Sequence, residues 1–128
     1  MSVIDIKQSI VDTLTDEFKI PVILQGTLLF SEAYPDDFFT FWNTDSRSAA
    51  FYDGNENETI WTFELNVYST NPEHVNSYLL TAKRLFKAQG WIIDGKGYDI
   101  ASDEPTHTGR GIQMIYLEKE TQEEENHA

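Results

Sequence analysis

The chain has 128 residues and no cysteine, and its 22 acids against 9 lysines and arginines leave a net charge of −13. That length suits one domain with a single core, and the lack of cysteine excludes a disulfide framework, a thiolate zinc site and a cysteine nucleophile. The negative charge repels phosphate and anionic lipid, which argues against direct nucleic-acid wrapping and against a membrane surface.

An apolar share of 40%, with aromatics at 13%, argues against disorder. No apolar run approaches the roughly 20 residues of a membrane span. The opening MSVIDIKQSIVDTLTDEF carries acids and has no long apolar stretch, so it does not read as a secretory signal.

In chain order, Val3, Ile6, Ile10, Leu14 and Phe18 recur at helical spacing, with Ser2 or Asp5 placed to cap the start and Pro21 to end the helix. Val22 to Leu24, then Gly26 and Leu28 to Phe30, read as a strand interrupted by a bend. Pro35 sets a turn, after which Phe38 to Trp42 is aromatic on both faces and reads as a strand buried on both sides or at an interface. Arg47 to Tyr52 reads as a separate short strand, closed by the Asp53-Gly54-Asn55 turn.

From Thr59 to Thr70 the alternation is clean. Trp61, Phe63, Leu65 and Val67 take one face, and Thr62, Glu64, Asn66 and Tyr68 the other. With the segment before Asp53 this strand should form an antiparallel hairpin. Asn71 or Thr70 then caps a helix with Pro72 at its first position, Val75, Tyr78, Leu79, Ala82, Leu85 and Phe86 as its core stripe, and Gly90 as its stop. Lys83, Arg84 and Lys87 near its end complement the helix dipole; their bland reading is a solvated face, the sharper one a dock for an acidic neighbour. Trp91 to Ile93 and Tyr98 to Ile100 are short strand candidates, and Ile112 to Leu117 is the last strand.

The expected fold is α+β: a mostly antiparallel sheet with two main helices packed on one face, the N-terminal helix first. Residues 1–118 form a single domain in this reading, and 119–128 an acidic disordered tail.

Chemistry is sparse. In SDEPTHTGRG, His107 lies close in sequence to Asp103, Glu104 and Thr106, which suggests a hydrolytic or metal-dependent site. Catalytic partners usually converge from separate elements, however, and there is no nucleophile elbow. His74 and His127 form no HxxxH or HExxH pair, the acids do not match a calcium loop, and neither Gly95-Lys96-Gly97 nor Gly109-Arg110-Gly111 is a phosphate-binding pattern. No catalytic residue, cofactor or metal is therefore assigned. The stretch reads instead as a polar loop leading into a strand, with Arg110 a fork-shaped donor for Asp103, Glu104 or a carboxylate of another subunit. Surplus aromatic surface points the same way. Phe39, Phe41, Trp42 and Tyr52, with His107 and Arg110, are the candidate subunit or partner contacts.

Taken together, YPDDFFTFWN, FYDGNENETIWTFELNVYSTNPEHVNSYL and LFKAQGWIIDGKGYDIASDEPTHTGRGIQMIYLEK resemble small tail-morphogenesis proteins of phages and prophages of Gram-positive bacteria, over roughly residues 21–118. The resemblance implies a tail-completion, tail-terminator or head–tail joining protein. It also implies a homo-oligomeric ring, commonly a hexamer, that meets tail-tube or connector proteins in the virion after a period in the host cytoplasm. It implies no role for Thr106 to Arg110. The readings that compete with it are a small hydrolase or metal-dependent enzyme using Asp103, Glu104 and His107, and a prophage module that binds a host protein.

Overall fold

The computed structural model describes residues 3–24, 35–50, 56–102 and 104–121. Ser2, Gly26, Leu28 to Phe30, Tyr34, Tyr52, the Asp53–Asn55 turn, Asp103 and the chain from 122 onward, all used in the sequence reading, lie outside those residues.

The order is α1 (Val3–Phe18), β1 (Val22–Leu24), β2 (Asp37–Ala50), β3 (Glu56–Ser69), α2 (Pro72–Ala88), β4 (Tyr98–Ile100) and β5 (Thr108–Thr121). The strands make one sheet in the order β1-β2-β3-β5-β4, in which β1 runs parallel to β2 and the other pairs are antiparallel. This is the expected α+β architecture, with the N-terminal helix first.

Helix α1 buries Ile6, Ile10 and Leu14 along its apolar stripe. Asp5 sits inside its first turn rather than ahead of it, and the chain leaves the helix at Lys19 (φ 57°), before Pro21 is reached. Helix α2 starts as the sequence dictates: the Asn71 side chain accepts the Glu73 N–H at 3.0 Å, and Pro72 fills a position that needs no donor. At its far end Gly90 (φ 98°) turns the chain; the Gly90 N–H reaches the Lys87 carbonyl at 3.1 Å and the Trp91 N–H reaches the Phe86 carbonyl at 3.0 Å. That is a Schellman ending, and the Trp91 and Phe86 rings close it edge to face at 5.9 Å.

Ile6, Ile10 and Leu14 join Val75, Leu79, Ala82 and Phe86 in one hydrophobic cluster with Phe39, Phe41, Phe63, Leu65, Val67, Ile112 and Met114. Cross-strand partners share a face, so the register places those strand residues together on what is called here the core face.

The structure corrects the strand boundaries. The two short strands expected at Phe38 to Trp42 and Arg47 to Tyr52 are one strand through Ala50, with the register slipping between Asn43 and Asp45. Asn43 Nδ2 donates to the Asp45 and Thr62 carbonyls, each at 2.9 Å, and the Thr44 hydroxyl to the Thr62 carbonyl at 3.2 Å. These polar side chains satisfy the backbone at a bulge, so the strand bends without breaking. Strand β5 starts at Thr108 and runs to Thr121, so Thr108 to Gly111 is strand rather than loop. Residues 119–121 pair with 56–58 rather than opening a tail, because the hairpin supplies their backbone partners.

Fourteen-residue strands reach about 45 Å, whereas the helices reach about 25 Å. Among the described residues, burial on these strands stops at Phe41, resumes at Thr62 and ends at Met114. Beyond those points β2, β3 and β5 continue as a three-stranded ribbon.

Candidate functional site

The sheet face opposite the core face carries the most unusual surface. Glu64 lies on the polar side of β3, and register places Trp42 of β2 beside it and Gln113 of β5 on its other flank. Tyr98 reaches the same carboxylate from β4. It does so by lying across its register partner Gly111, where a Cβ would stand 3.2 Å from the Tyr98 ring and 2.4 Å from Asn66 Oδ1. Trp42 Nε1 donates to Glu64 Oε2 at 2.7 Å, and the Tyr98 hydroxyl donates to Oε1. Partial burial, the hydrogen bond to Glu64 and the charge of that carboxylate, in that order, hold the Tyr98 phenol well above its ordinary ionisation range. Both donors are neutral, so neither brings a cation to the Glu64 carboxylate.

Next to this trio, Ile92 bridges to Ile115, whose side lies opposite buried Met114; Leu117 and its partner Ile60 follow on the same face. Trp42 (43%), Ile92 (49%), Tyr98 (43%) and Leu117 (41%) are all substantially exposed. The face therefore presents aromatic and aliphatic surface around one buttressed carboxylate. Toward Phe38, which stacks on Tyr68 at 5.1 Å, the same face is closed.

The residues expected to make subunit contacts separate into distinct roles. Phe39 and Phe41 are buried in the chain's own core, which corrects their assignment as contacts: strand alternation turns them into the hydrophobic cluster. Trp42, on the alternate side, is exposed. Tyr52 lies outside the described residues. Arg110 sits on β5 and donates to Asp99 Oδ1 at 2.7 Å and to the Gly97 and Lys96 carbonyls at 3.1 and 3.3 Å. It holds the turn before β4 rather than reaching toward Glu104, because register puts it opposite Asp99.

His107 is buried and works as a tie. Its Nε2 lies 2.7 Å from the Pro35 carbonyl, which can only accept, so Nε2 carries a proton. Nδ1 lies 2.9 Å from the Thr106 hydroxyl, and the ring meets Phe38 edge-on at 5.8 Å. A general base here would have to give up one of those bonds. Glu104 meets His107 through its backbone carbonyl, which accepts the His107 N–H at 3.1 Å.

A second polar cluster leaves no motif in the sequence. Asp37 Oδ1 accepts the Ser69 hydroxyl, and His74 Nδ1 lies 3.3 Å from the same oxygen. The residue types match a hydrolytic triad, but the order does not: the aspartate stands between serine and histidine, so the imidazole cannot take the serine proton. Ser69 is fully buried and accepts the Asn71 N–H at 2.9 Å. The cluster fastens the start of β2 to the junction of β3 and α2.

An open groove of about 510 Å³ between the start of α2 and β4 is lined by Val75, Asn76, Asp99, Ile100, His107 and Arg110. The ionisable side chains named there are engaged in the bonds just described. Among the described residues, no three or more histidines and acids gather as a metal site, and no helix is long and apolar enough to cross a membrane.

The Trp42–Glu64–Tyr98 trio could not be found from composition or motif. Alternation marked Glu64 as facing away from the core, but its neighbours depend on register across two strand pairings. No family model matches the chain, and no curated protein matches it.

Proposed function

We propose that this chain is a non-enzymatic assembly protein of a tailed phage or prophage, which self-associates and docks on tail-tube or connector proteins at the head–tail junction or the tail end. One observation carries the assembly part of this reading: Trp42, Ile92, Tyr98 and Leu117 stand exposed together on a single sheet face. Apolar surface gathered on one side and rimmed by polar groups marks a contact surface. The phage assignment follows from the sequence resemblance. The charge of −13 is consistent with a protein that works beside DNA without holding it.

The test is light scattering on eluting protein over a wide concentration range, together with cosedimentation with purified phage tails. A closed oligomer, or retention on tails, is the expected result. A strict monomer at every concentration that also fails to bind tails overturns the reading.

A further inference from the structure

We infer that the exposed sheet face of one copy receives helix α2 of a second copy in a head-to-tail contact; this rests on the self-association reading above. The argument begins with charge. A two-fold contact centred on Glu64 would set that carboxylate against its own mate, and Arg47 on this face is already paired with Asp45 at 3.0 Å. The face therefore suits a partner that brings cations and a modest apolar centre.

Helix α2 carries that complement. Leu80 is 44% exposed, and Arg84 and Lys87 follow it at helical spacing on the same stripe. Both cations are exposed and make no ion pair among the described residues. Lys83, by contrast, donates to the Gly95 carbonyl and is taken up within the chain. A guanidinium from Arg84 can bond the remaining lone pairs of Glu64 while lying against the Trp42 ring. Leu80 then meets the aliphatic part of the face.

Dimensions agree. From Gly111 to Leu117 the face extends about 20 Å along β5, and α2 offers about 25 Å of helix. Geometry also fixes the kind of assembly. The α2 stripe points away from the side chains that helix buries, and the receiving face lies on the far side of the sheet from them. One copy cannot satisfy itself, so each passes its helix to the next, and the repeated contact builds a ring where its rotation closes and a filament where it does not.

The test uses charge reversal on the full chain. Arg84→Glu with Lys87→Glu should raise the concentration needed for assembly at least ten-fold, and Glu64→Lys should do the same. The chain carrying all three substitutions should regain assembly. Circular dichroism and urea midpoints check that each variant folds, and Arg84→Ala with Lys87→Ala serves as a milder version on a solvent-facing stripe. If the wild type assembles and the reversed chains assemble equally well, or the triple variant gains nothing, the helix-to-face contact is wrong and self-association stands. If the wild type neither assembles nor binds tails, the underlying reading fails instead.

Discussion

Glu64 sits between two uncharged donors, and the consequences show in Tyr98. The folded chain favours the neutral phenol, so its ionisation lies above the unfolded value of 10.0. The stability this group contributes is complete below pH 10.0 and is lost as pH climbs through the higher folded value. Urea midpoints should therefore be insensitive to this group near neutrality and fall in strongly alkaline solution. In Glu64→Gln, the phenolate absorbance of Tyr98 should appear at lower pH than in wild type. The shift should be partial, because burial, the largest cause, remains. An unchanged titration would show that Tyr98 does not lean on Glu64. Gly111→Ala tests the other side of this arrangement. Its Cβ would fall 2.4 Å from the carboxamide of buried Asn66. Overpacking at such a site should cost about 1–3 kcal/mol in urea unfolding. It should also free the Tyr98 ring, visible as a change in near-ultraviolet circular dichroism.

At the scale of elements, α2 is held at both ends by interactions its own sequence specifies. Asn71→Ala removes the side chain that receives the Glu73 N–H and should lower stability by about 1 kcal/mol. Gly90→Ala forces a Cβ into the positive-φ region at the Schellman ending and should cost about 1–2 kcal/mol. Both are read from the urea midpoint, and an unchanged value in either would mean that the end in question frays in solution. This helix was fully legible in the sequence because its cap, stripe and stop are local. Strand β5 was only half legible. Its apolar stretch from Ile112 to Leu117 announces a strand, but Thr108 to Gly111 and 118–121 are strand because β3 offers them backbone partners. Propensity carries little of that information, since strand extension is set by the neighbouring strand.

For the whole molecule, the relevant division is between aromatics that build the core and those that remain outside. Phe39→Ala should destabilise the monomer by about 3–5 kcal/mol, since that side chain is fully buried. Trp42→Ala should leave the monomer's urea midpoint nearly unchanged while weakening assembly, read by light scattering. If Trp42→Ala unfolds the chain as Phe39→Ala does, or if it assembles like wild type, the exposed face is not the contact surface. The ribbon beyond Phe41 and Met114 belongs to this scale too: strands longer than the helices leave backbone-paired but thinly covered structure.

By itself the sequence determined the elements whose causes are local: two amphipathic helices, the cap and stop of α2, the alternating strand from Thr59, and the hairpin it forms with the chain before it. It also determined the acidic balance and the absence of a thiol. Only the tertiary structure decided that Phe39 and Phe41 are core while Trp42 is surface, that Arg110 holds Asp99, and that Glu64 gathers Trp42 and Tyr98 from separate strands. The physical reason is register. Side chains alternate every residue along a strand, so pattern marks which ones share a face. Their neighbours across the sheet are set by backbone pairing between segments far apart in the chain, and here by a bulge at Asn43–Asp45 and a missing Cβ at Gly111.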